Sequence, residues 1–390
     1  GELEIMVCKP LFPSGEGCRR SGGVVCRGGN LPPVVITDAA GWSCRVCTPV
    51  HTVQQYIKGE SPMSVLVTGG AGYIGSHTVA ELLDGGYETV VADNLQKGHE
   101  RAVTGGRFYH GDVRDAEFMN RVMSENDIDS VIHFAADSLV AESVADPLKY
   151  YNNNLVTVLC LLEVMNRYNV KHIVFSSTAA TYGEPRNIPI LETDPAEPIN
   201  PYGETKLAVE KALKWADNAY GIKFAALRYF NAAGAHISGE IGEDHSPETH
   251  IIPIILQAAL GRQDKFTIFG SDYNTPDGTC VRDYIHVTDL ADAHIKALRN
   301  LKQQNESDIY NLGSSKGFSN KEVYDAAVRV TGADIKLAYG DRRPGDPPAL
   351  VASSEKIRQK LGWTPKYTEL EKIIETAWNW HKNHPKGFNS

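Results

Sequence analysis

Tyr202 stands four residues before Lys206 in the run Tyr202-Gly203-Glu204-Thr205-Lys206, within a segment whose pattern predicts a helix. Residues four apart share one helix face. A phenol ordinarily ionises near pH ~10. A cation held beside it favours the phenolate, so the pair can work as a proton acceptor near neutral pH. The same spacing also occurs as an ordinary surface couple, so the pair needs support from elsewhere in the chain. A third candidate is Thr178, the last residue of Ser176-Ser177-Thr178 at a predicted strand end. Its hydroxyl can hydrogen-bond a reacting oxygen or simply satisfy nearby backbone.

Support comes from Val65-Leu66-Val67-Thr68-Gly69-Gly70-Ala71-Gly72-Tyr73-Ile74-Gly75. A short apolar β-branched run reads as a buried strand. The glycines open a helical pattern over Ser76–Leu83. Glycines at this turn let the backbone approach a pyrophosphate at a helix N-terminus. The next strand, Glu88–Ala92, is followed by Asp93. A carboxylate about 20 residues past such glycines accepts a hydrogen bond from the ribose 2′-hydroxyl. It would repel a 2′-phosphate, so the expected cofactor is NAD rather than NADP.

These residues need a frame. The chain has 390 residues, 42% of them hydrophobic, enough for a large core in two lobes. A net charge of −9 gives no footprint for nucleic acid, and no apolar run is long enough to span a membrane. From Ser64 strands and helices alternate. Strands are expected at Arg107–His110, Ser130–Phe134, His172–Ser177 and Phe224–Tyr229, with helices at Ala116–Glu125, Pro147–Tyr168 and Tyr202–Tyr220. This predicts an α/β fold: a Rossmann-type doubly wound parallel sheet over 63–230. A smaller C-terminal α/β substrate lobe over 231–390 is expected, with the chain free to cross between the two. Helices are expected there at His250–Gly261, Thr288–Leu301, Asn320–Thr331 and Leu370–Lys382, and strands at Thr267–Phe269, Asp308–Leu312 and Lys336–Ala338.

Residues 1–62 carry five of the seven cysteines but little periodicity. They are expected to be an extension outside the fold, vector-derived or translated from an upstream start, with no signal-peptide pattern. Cys44-x-x-Cys47 lacks a second pair at finger-like spacing, so no metal site is expected. Cysteine usage fits a reducing cytoplasm rather than a disulfide framework.

The glycine fingerprint, Ser176-Ser177-Thr178 and Tyr202/Lys206 together resemble the extended short-chain dehydrogenase/reductase family. Val131-Ile132-His133-Phe134-Ala135-Ala136, Tyr150 to Asn154, Leu227 to Asn231, Gly278 to His286 and Arg342 to Asp346 narrow the resemblance to its UDP-glucose 4-epimerase branch, from Ser64 to the end. The resemblance implies a UDP-hexose substrate, transient hydride transfer from C4 to bound NAD, a 4-keto intermediate, and a homodimer. It implies Tyr202 as base, Lys206 on the nicotinamide ribose and Thr178 on the 4-oxygen. Cofactor contacts are implied for Gly69, Gly72, Tyr73, Ile74, Gly75, Asp93, Asn94, Asp112, Val113, Phe134, Ala135, Ala136, Asn153, Tyr202, Lys206 and Phe230. Substrate contacts are implied for Thr178, Asn231, Thr267, Phe269, Arg282, Arg343 and Asp346, with Leu350 beside the C2 substituent of the sugar. The chain departs from the family at two places: Ser138 stands where relatives often carry lysine, and His250 where some carry asparagine. Leu155, Val158, Leu162, Leu207 and Leu213 are read as apolar residues surplus to one core face, for pairing with a second copy.

Sister 4,6-dehydratases carry an Asp-Glu pair just after the Thr178 position. Here Ala179-Ala180 stands there, which removes the proton donor that elimination needs. A decarboxylase would need a cationic site for a C6 carboxylate. A non-catalytic NAD-binding sensor is disfavoured by the presence of Thr178, Tyr202 and Lys206 together.

Overall fold

The computed structural model of the chain describes residues 34–37, 43–46, 64–343 and 347–389. The chain divides into two units, Gly1–Pro62 and Met63–Ser390. In the first, β1 (Val34–Thr37) pairs antiparallel with β2 (Ser43–Val46), a hairpin the sequence pattern did not suggest. Cys47 lies outside the described residues.

The second unit is built on a seven-stranded sheet. Its strands are β3 (Ser64–Thr68), β4 (Glu88–Asp93), β5 (Arg107–His110), β6 (Ser130–His133), β7 (His172–Thr178), β8 (Lys223–Tyr229) and β13 (Asp308–Leu312). Between the last two come β9 (Asn231–Ala233), β10 (Phe266–Phe269), β11 (Val281–Arg282) and β12 (Tyr284–His286). The order across the sheet is β13-β8-β7-β6-β3-β4-β5, with every pairing parallel. The winding therefore reverses between β3 and β6. Their carboxyl ends diverge there, the place where open α/β sheets bind ligands.

Residue alternation explains the two-sided core. Leu66 of β3 packs in one cluster with Val131, Phe175 and Leu161, while its neighbours Val65 and Val67 face the other way with Ile132, Val174 and Leu298. Successive strand residues point to opposite faces, so a strand buried on both sides reads as a continuous apolar run. A third cluster, including Ile255, Ile268, Val323 and Ile373, forms the core of the C-terminal part.

Helices α1 (Tyr73–Asp84), α2 (Ala116–Ser124), α3 (Val140–Ala145), α4 (Pro147–Tyr150), α5 (Thr157–Arg167) and α6 (Pro201–Tyr220) alternate with the strands, all but α3 falling in segments expected to be helical. The expected single helix Pro147–Tyr168 is interrupted by a π-helical stretch, Tyr151–Val156. Such widened turns are common at functional sites. This one carries Asn153 and Asn154, which bond Asp137 at its Oδ2 and at its backbone respectively. Helix α7 (Ile251–Ala259) opens the C-terminal part. Helix α8 (Val287–Gln304) then returns to pack on α1 and the sheet, and β13 pairs with β8. The chain thus crosses back into the cofactor-type fold after β12. Helices α9 (Asn320–Thr331), α10 (Glu355–Leu361) and α11 (Leu370–Asn383), with β14 (Phe318–Ser319), β15 (Leu337–Gly340) and β16 (Ala349–Leu350), complete the unit. β10 pairs with β15, and β11 lies between β14 and β16.

The five apolar residues read as surplus are mostly internal. Val158, Leu162, Leu207 and Leu213 are buried in this chain's own core, and Leu155 is half-buried against it. The exposed large apolar residues of this region are a different set, Val144 on α3, Leu148 on α4, Leu159 on α5 and Trp215 on α6.

Candidate active site

Helix α6 begins where its local sequence dictates. The Asn200 side chain accepts a hydrogen bond from Gly203 N, and Pro201 occupies the first turn, where its missing N–H costs nothing. Tyr202 and Lys206 follow on one face. Gly203 between them lies against the turn that leaves β7. A Cβ there would sit 2.4 Å from the Ala180 carbonyl oxygen, so only glycine lets the helix come this close. The approach brings Tyr202 near Thr178, whose hydroxyl favours the ionised phenol and so works against the burial that raises its pKa. Thr178 Oγ1 also accepts from Ala180 N at 3.2 Å, so its structural and site roles coexist.

Lys206 is buried, and its Nζ donates to the Ser176 carbonyl at 2.9 Å. It lies 6.0 Å from the Tyr202 ring centre. Burial lowers its pKa to about 7, against the opposing pull of Glu210. The expected lowering of the Tyr202 phenol does not appear in this structure. Burial raises it, the nearby Thr178 hydroxyl works against that, and Lys206 is engaged with backbone instead.

The helix is pinned by residues that the sequence analysis missed. Glu210, one turn beyond Lys206 and buried, takes a two-pronged bond from Arg228 of β8: Nε to Oε1 at 2.9 Å and Nη2 to Oε2 at 2.5 Å. Ser177 of β7 donates to Oε1 at 2.6 Å. Asn154 reaches Thr205 Oγ1 from the π stretch at 3.2 Å. The available signal was Arg228 itself. A guanidinium inside an apolar strand must find a buried carboxylate.

At the switch point, Phe134 N and Ala135 N donate to Thr68 O, tying β6 to the glycine turn. A cleft opens there lined by Gly69, Gly72, Asp93, Asn94, Asp112, Val113, Phe134, Ala135, Ala136 and Asn153, which brings together ten of the expected cofactor residues. Gln96, Lys97 and Asp137 also line it and were not anticipated. Gly75 is a glycine for packing: its Cβ would lie 2.1 Å from Gly69 O. Gly72 meets only ordinary contact within the protein, 3.4 Å to Gly69 O, so its bareness serves whatever lies against the turn. Asp93 accepts from Ala71 N and Leu95 N, one on each oxygen, and burial raises its pKa against those bonds. Each oxygen keeps a lone pair for a ribose hydroxyl. Asp112 is taken up by Arg114 and Asn94, the Arg114 bond above all holding it down at about 2. Tyr73 donates its hydroxyl to Gly234 O at 2.6 Å, and Ile74 packs with the core beside Phe134. The cradle fits a dinucleotide: helix N-terminus, bare turn, ribose acid.

A second cleft, of about 400 Å³, gathers Asn231, Thr267, Phe269, Arg282 and Arg343, together with Glu243 and His250. The Arg343 guanidinium lies 4.3 Å over the Phe269 ring. Arg282 Nη1 donates to the carbonyls of Val281 and Pro347. Phe230 forms the one-residue step between β8 and β9. Leu350 pairs in register with Arg282 and is half-buried, beside rather than among the lining residues. Asp346 lies outside the described residues. Against the expectation of no metal-binding residues, Glu243, His245, Glu248 and His250 bring their donor atoms together at the edge of this cleft.

Comparison with known proteins bears on the whole unit. The family model described as "NAD dependent epimerase/dehydratase family" matches residues 65–313. The UDP-glucose 4-epimerase of Lacticaseibacillus casei is 60% identical over 327 residues, 84% of this chain and 99% of the relative. A solved UDP-glucose 4-epimerase from Bifidobacterium longum, in complex with NAD+ and UDP, is 41% identical with a TM-score of 0.78, covering 84% of this chain and 100% of that one. The UDP-Glc/GlcNAc 4-epimerase of Campylobacter jejuni is 43% identical with a TM-score of 0.73, covering 82% and 99%. The fold, the cradle and these likenesses agree: the chain belongs to the NAD dependent epimerase/dehydratase family.

Proposed function

We infer that this chain is an isomerase that interconverts UDP-galactose and UDP-glucose through a 4-keto sugar, with NAD held in the cleft at the β3/β6 switch point. The observation that carries the chemistry is Tyr202 beside Thr178 at the carboxyl end of β7, with Lys206 buried one helical turn behind. The high identity to UDP-glucose 4-epimerases over nearly the whole second unit supports the substrate.

Tyr202 takes the proton from the sugar 4-hydroxyl and returns it after the sugar has turned its other face. Thr178 holds that oxygen and the phenol in line. When bound, NAD supplies the hydride acceptor and donor for C4, and a cationic ring whose charge favours the Tyr202 phenolate. Arg282 and Arg343 are the residues for the diphosphate, since guanidinium stays charged and binds phosphate in a fork. Ala179-Ala180 opens the turn after β7 and carries no acid for dehydration. The test is to incubate purified protein with UDP-galactose and separate the sugar nucleotides. UDP-glucose should appear without net consumption of NAD. A 6-deoxy-4-keto product, or no interconversion by NAD-loaded protein, would overturn the reading.

The substrate range extends to N-acetylated UDP-hexoses, turned over less well, because Leu350 offers a lower wall than tyrosine at that place. Discrimination by a few carbons is worth ~1–3 kcal/mol, so the preference is graded. Leu350→Tyr is expected to lower kcat/KM for the acetylated sugar relative to the plain one. An unchanged ratio removes Leu350 as the gate. The exposed Val144, Leu148, Leu159 and Trp215 support pairing of α3–α6 with a second copy as a homodimer. The cytoplasm is the proposed location. No described helix is long and apolar enough to cross a membrane.

A further inference from the structure

The segment from Glu243 to His250 reads Glu-x-His-x-x-Glu-x-His and runs up to the start of α7. Four donor atoms from it, one from each of Glu243, His245, Glu248 and His250, lie within 4.8 Å of one another. Glu243 Oε1 is 2.7 Å from His250 Nδ1 and 3.2 Å from His245 Nδ1. Glu248 comes within 3.3 Å of His250 Nδ1 and 3.8 Å of His245 Nδ1.

These distances would suit hydrogen-bonded ion pairs, but the directions do not. Glu243 Oε1, His245 Nδ1 and His250 Nδ1 are all buried, and none has a partner in hydrogen-bond geometry. The Glu243 side chain is only 4% exposed. Charge draws Glu243 to both imidazoles, yet these clustered atoms lack hydrogen-bond geometry, and buried polar atoms almost always find a partner, so a shared one is called for. We propose that Glu243, His245, Glu248 and His250 form a binding site for a divalent transition-metal ion of the zinc type.

The donor set has the right chemistry. Two imidazoles and two carboxylates suit zinc, cobalt or nickel rather than magnesium or calcium, which take oxygen ligands. Tetrahedral coordination at 2.0–2.1 Å separates ligand atoms by about 3.3 Å, within the range found here. Two carboxylates neutralise the ion, so the loaded site buries no net charge. Four protein ligands close the shell, which marks a structural rather than a catalytic ion.

The surrounding loop is already held in shape. Trp380 Nε1 donates to the Glu243 carbonyl at 3.1 Å, and Phe388 N donates to Asp244 Oδ2 at 2.9 Å. Glu248 Oε1 accepts from Thr249 N and His250 N, which orients its carboxylate. The His245 ring stands edge-on to Tyr73, at 6.1 Å between centres. A metal here would therefore fix the start of α7, one wall of the second cleft, against the glycine turn. Glu243 and His250 also line the second cleft, so the site adjoins the substrate contacts proposed above, while the metal-binding readouts below do not use turnover.

The test uses the full chain, stripped with a chelator, returned to Zn2+ or Co2+ alone, and dialysed. One ion per chain is expected by elemental analysis, with a melting temperature raised by several degrees. Cobalt should give the d–d bands of a four-coordinate site without a thiolate charge-transfer band, which separates this site from the cysteines of residues 1–62. His245→Ala and, separately, Glu248→Gln should weaken binding by more than about 100-fold, the upper range for lesser, outer contacts. Cys44→Ser/Cys47→Ser should leave it unchanged. The proposal is overturned by no stoichiometric ion in well-folded wild type, by full retention in both site variants, or by a thiolate band.

Discussion

As the proposed base, Tyr202 would have to lose a proton that its surroundings hold. Burial lifts its phenol above the usual range, and only the Thr178 hydroxyl pulls against it. Tyr202→Phe keeps the ring and removes only the hydroxyl to which the proposal gives the chemistry. Turnover is expected to fall by about 10²–10⁴-fold, the usual worth of a positioned base, with NAD content and melting temperature retained. Near-wild-type turnover would assign the base elsewhere. Lys206 gives a pH signature. Its pKa of about 7 lies below the ordinary lysine value, so across the interval between them the unfolded chain holds a proton that the folded protein has lost. Stability then rises with pH through that interval, and the full cost of burying the ammonium applies below pH 7. In cofactor-stripped protein, Lys206→Met should be more stable relative to wild type at pH 6 than at pH 9. A difference that does not change over that range, measured by denaturant melts, would show that Lys206 is not buried charged.

At the scale of elements, Tyr202, the proposed base, is positioned by the seat of α6 on β7 and β8. Two features set that seat: bare backbone at Gly203 against Ala180, and the buried Glu210–Arg228–Ser177 cluster. Gly203→Ala places a methyl where a carbonyl oxygen already sits. The start of the helix must lift, at a cost of about 1–3 kcal/mol, typical of overpacking. The expected kinetic result is a large fall in kcat with KM little changed, because Tyr202 shifts while both clefts remain. An equal change in KM would place the damage in substrate binding instead. The π stretch Tyr151–Val156 acts on the same helix from the other side, through Asn154 and Thr205. A regular α-turn would carry Asn153 and Asn154 round to different directions.

At the scale of the whole molecule, the proposed homodimer rests on exposed apolar side chains of α4 and α6. Leu148 is 79% and Trp215 73% exposed, on adjoining helices. Exposed large apolar side chains on these helices support the proposed pairing with a second copy. Light scattering at micromolar protein should give twice the chain mass. Leu148→Asp with Trp215→Glu should give the single-chain mass while retaining NAD. A monomeric wild type, or a dimer unaffected by the double change, would locate the interface elsewhere or remove it.

Much of this was legible in the chain itself, for a local reason. The strand–glycine–helix–acid sequence of the cofactor cradle spans one βαβ unit, and Tyr202/Lys206 spans one helical turn. Residue spacing alone brings such groups together once the strand or helix forms. The sheet and its switch point follow from the same alternation. What the tertiary structure decided lay between segments distant in sequence. Glu210 meets Arg228 only because α6 packs on β8, and β13 joins the sheet only because α8 returns the chain across it. Val158 and Leu213 look like interface residues in a list and are core in the fold, whereas Leu148 and Trp215 are the exposed ones. The four donors from Glu243 to His250 are close in sequence, yet their convergence depends on a loop, where spacing does not dictate direction as it does in a helix or strand. Periodicity assigns a residue to a face. Which face finds a partner depends on packing, and that belongs to the folded chain.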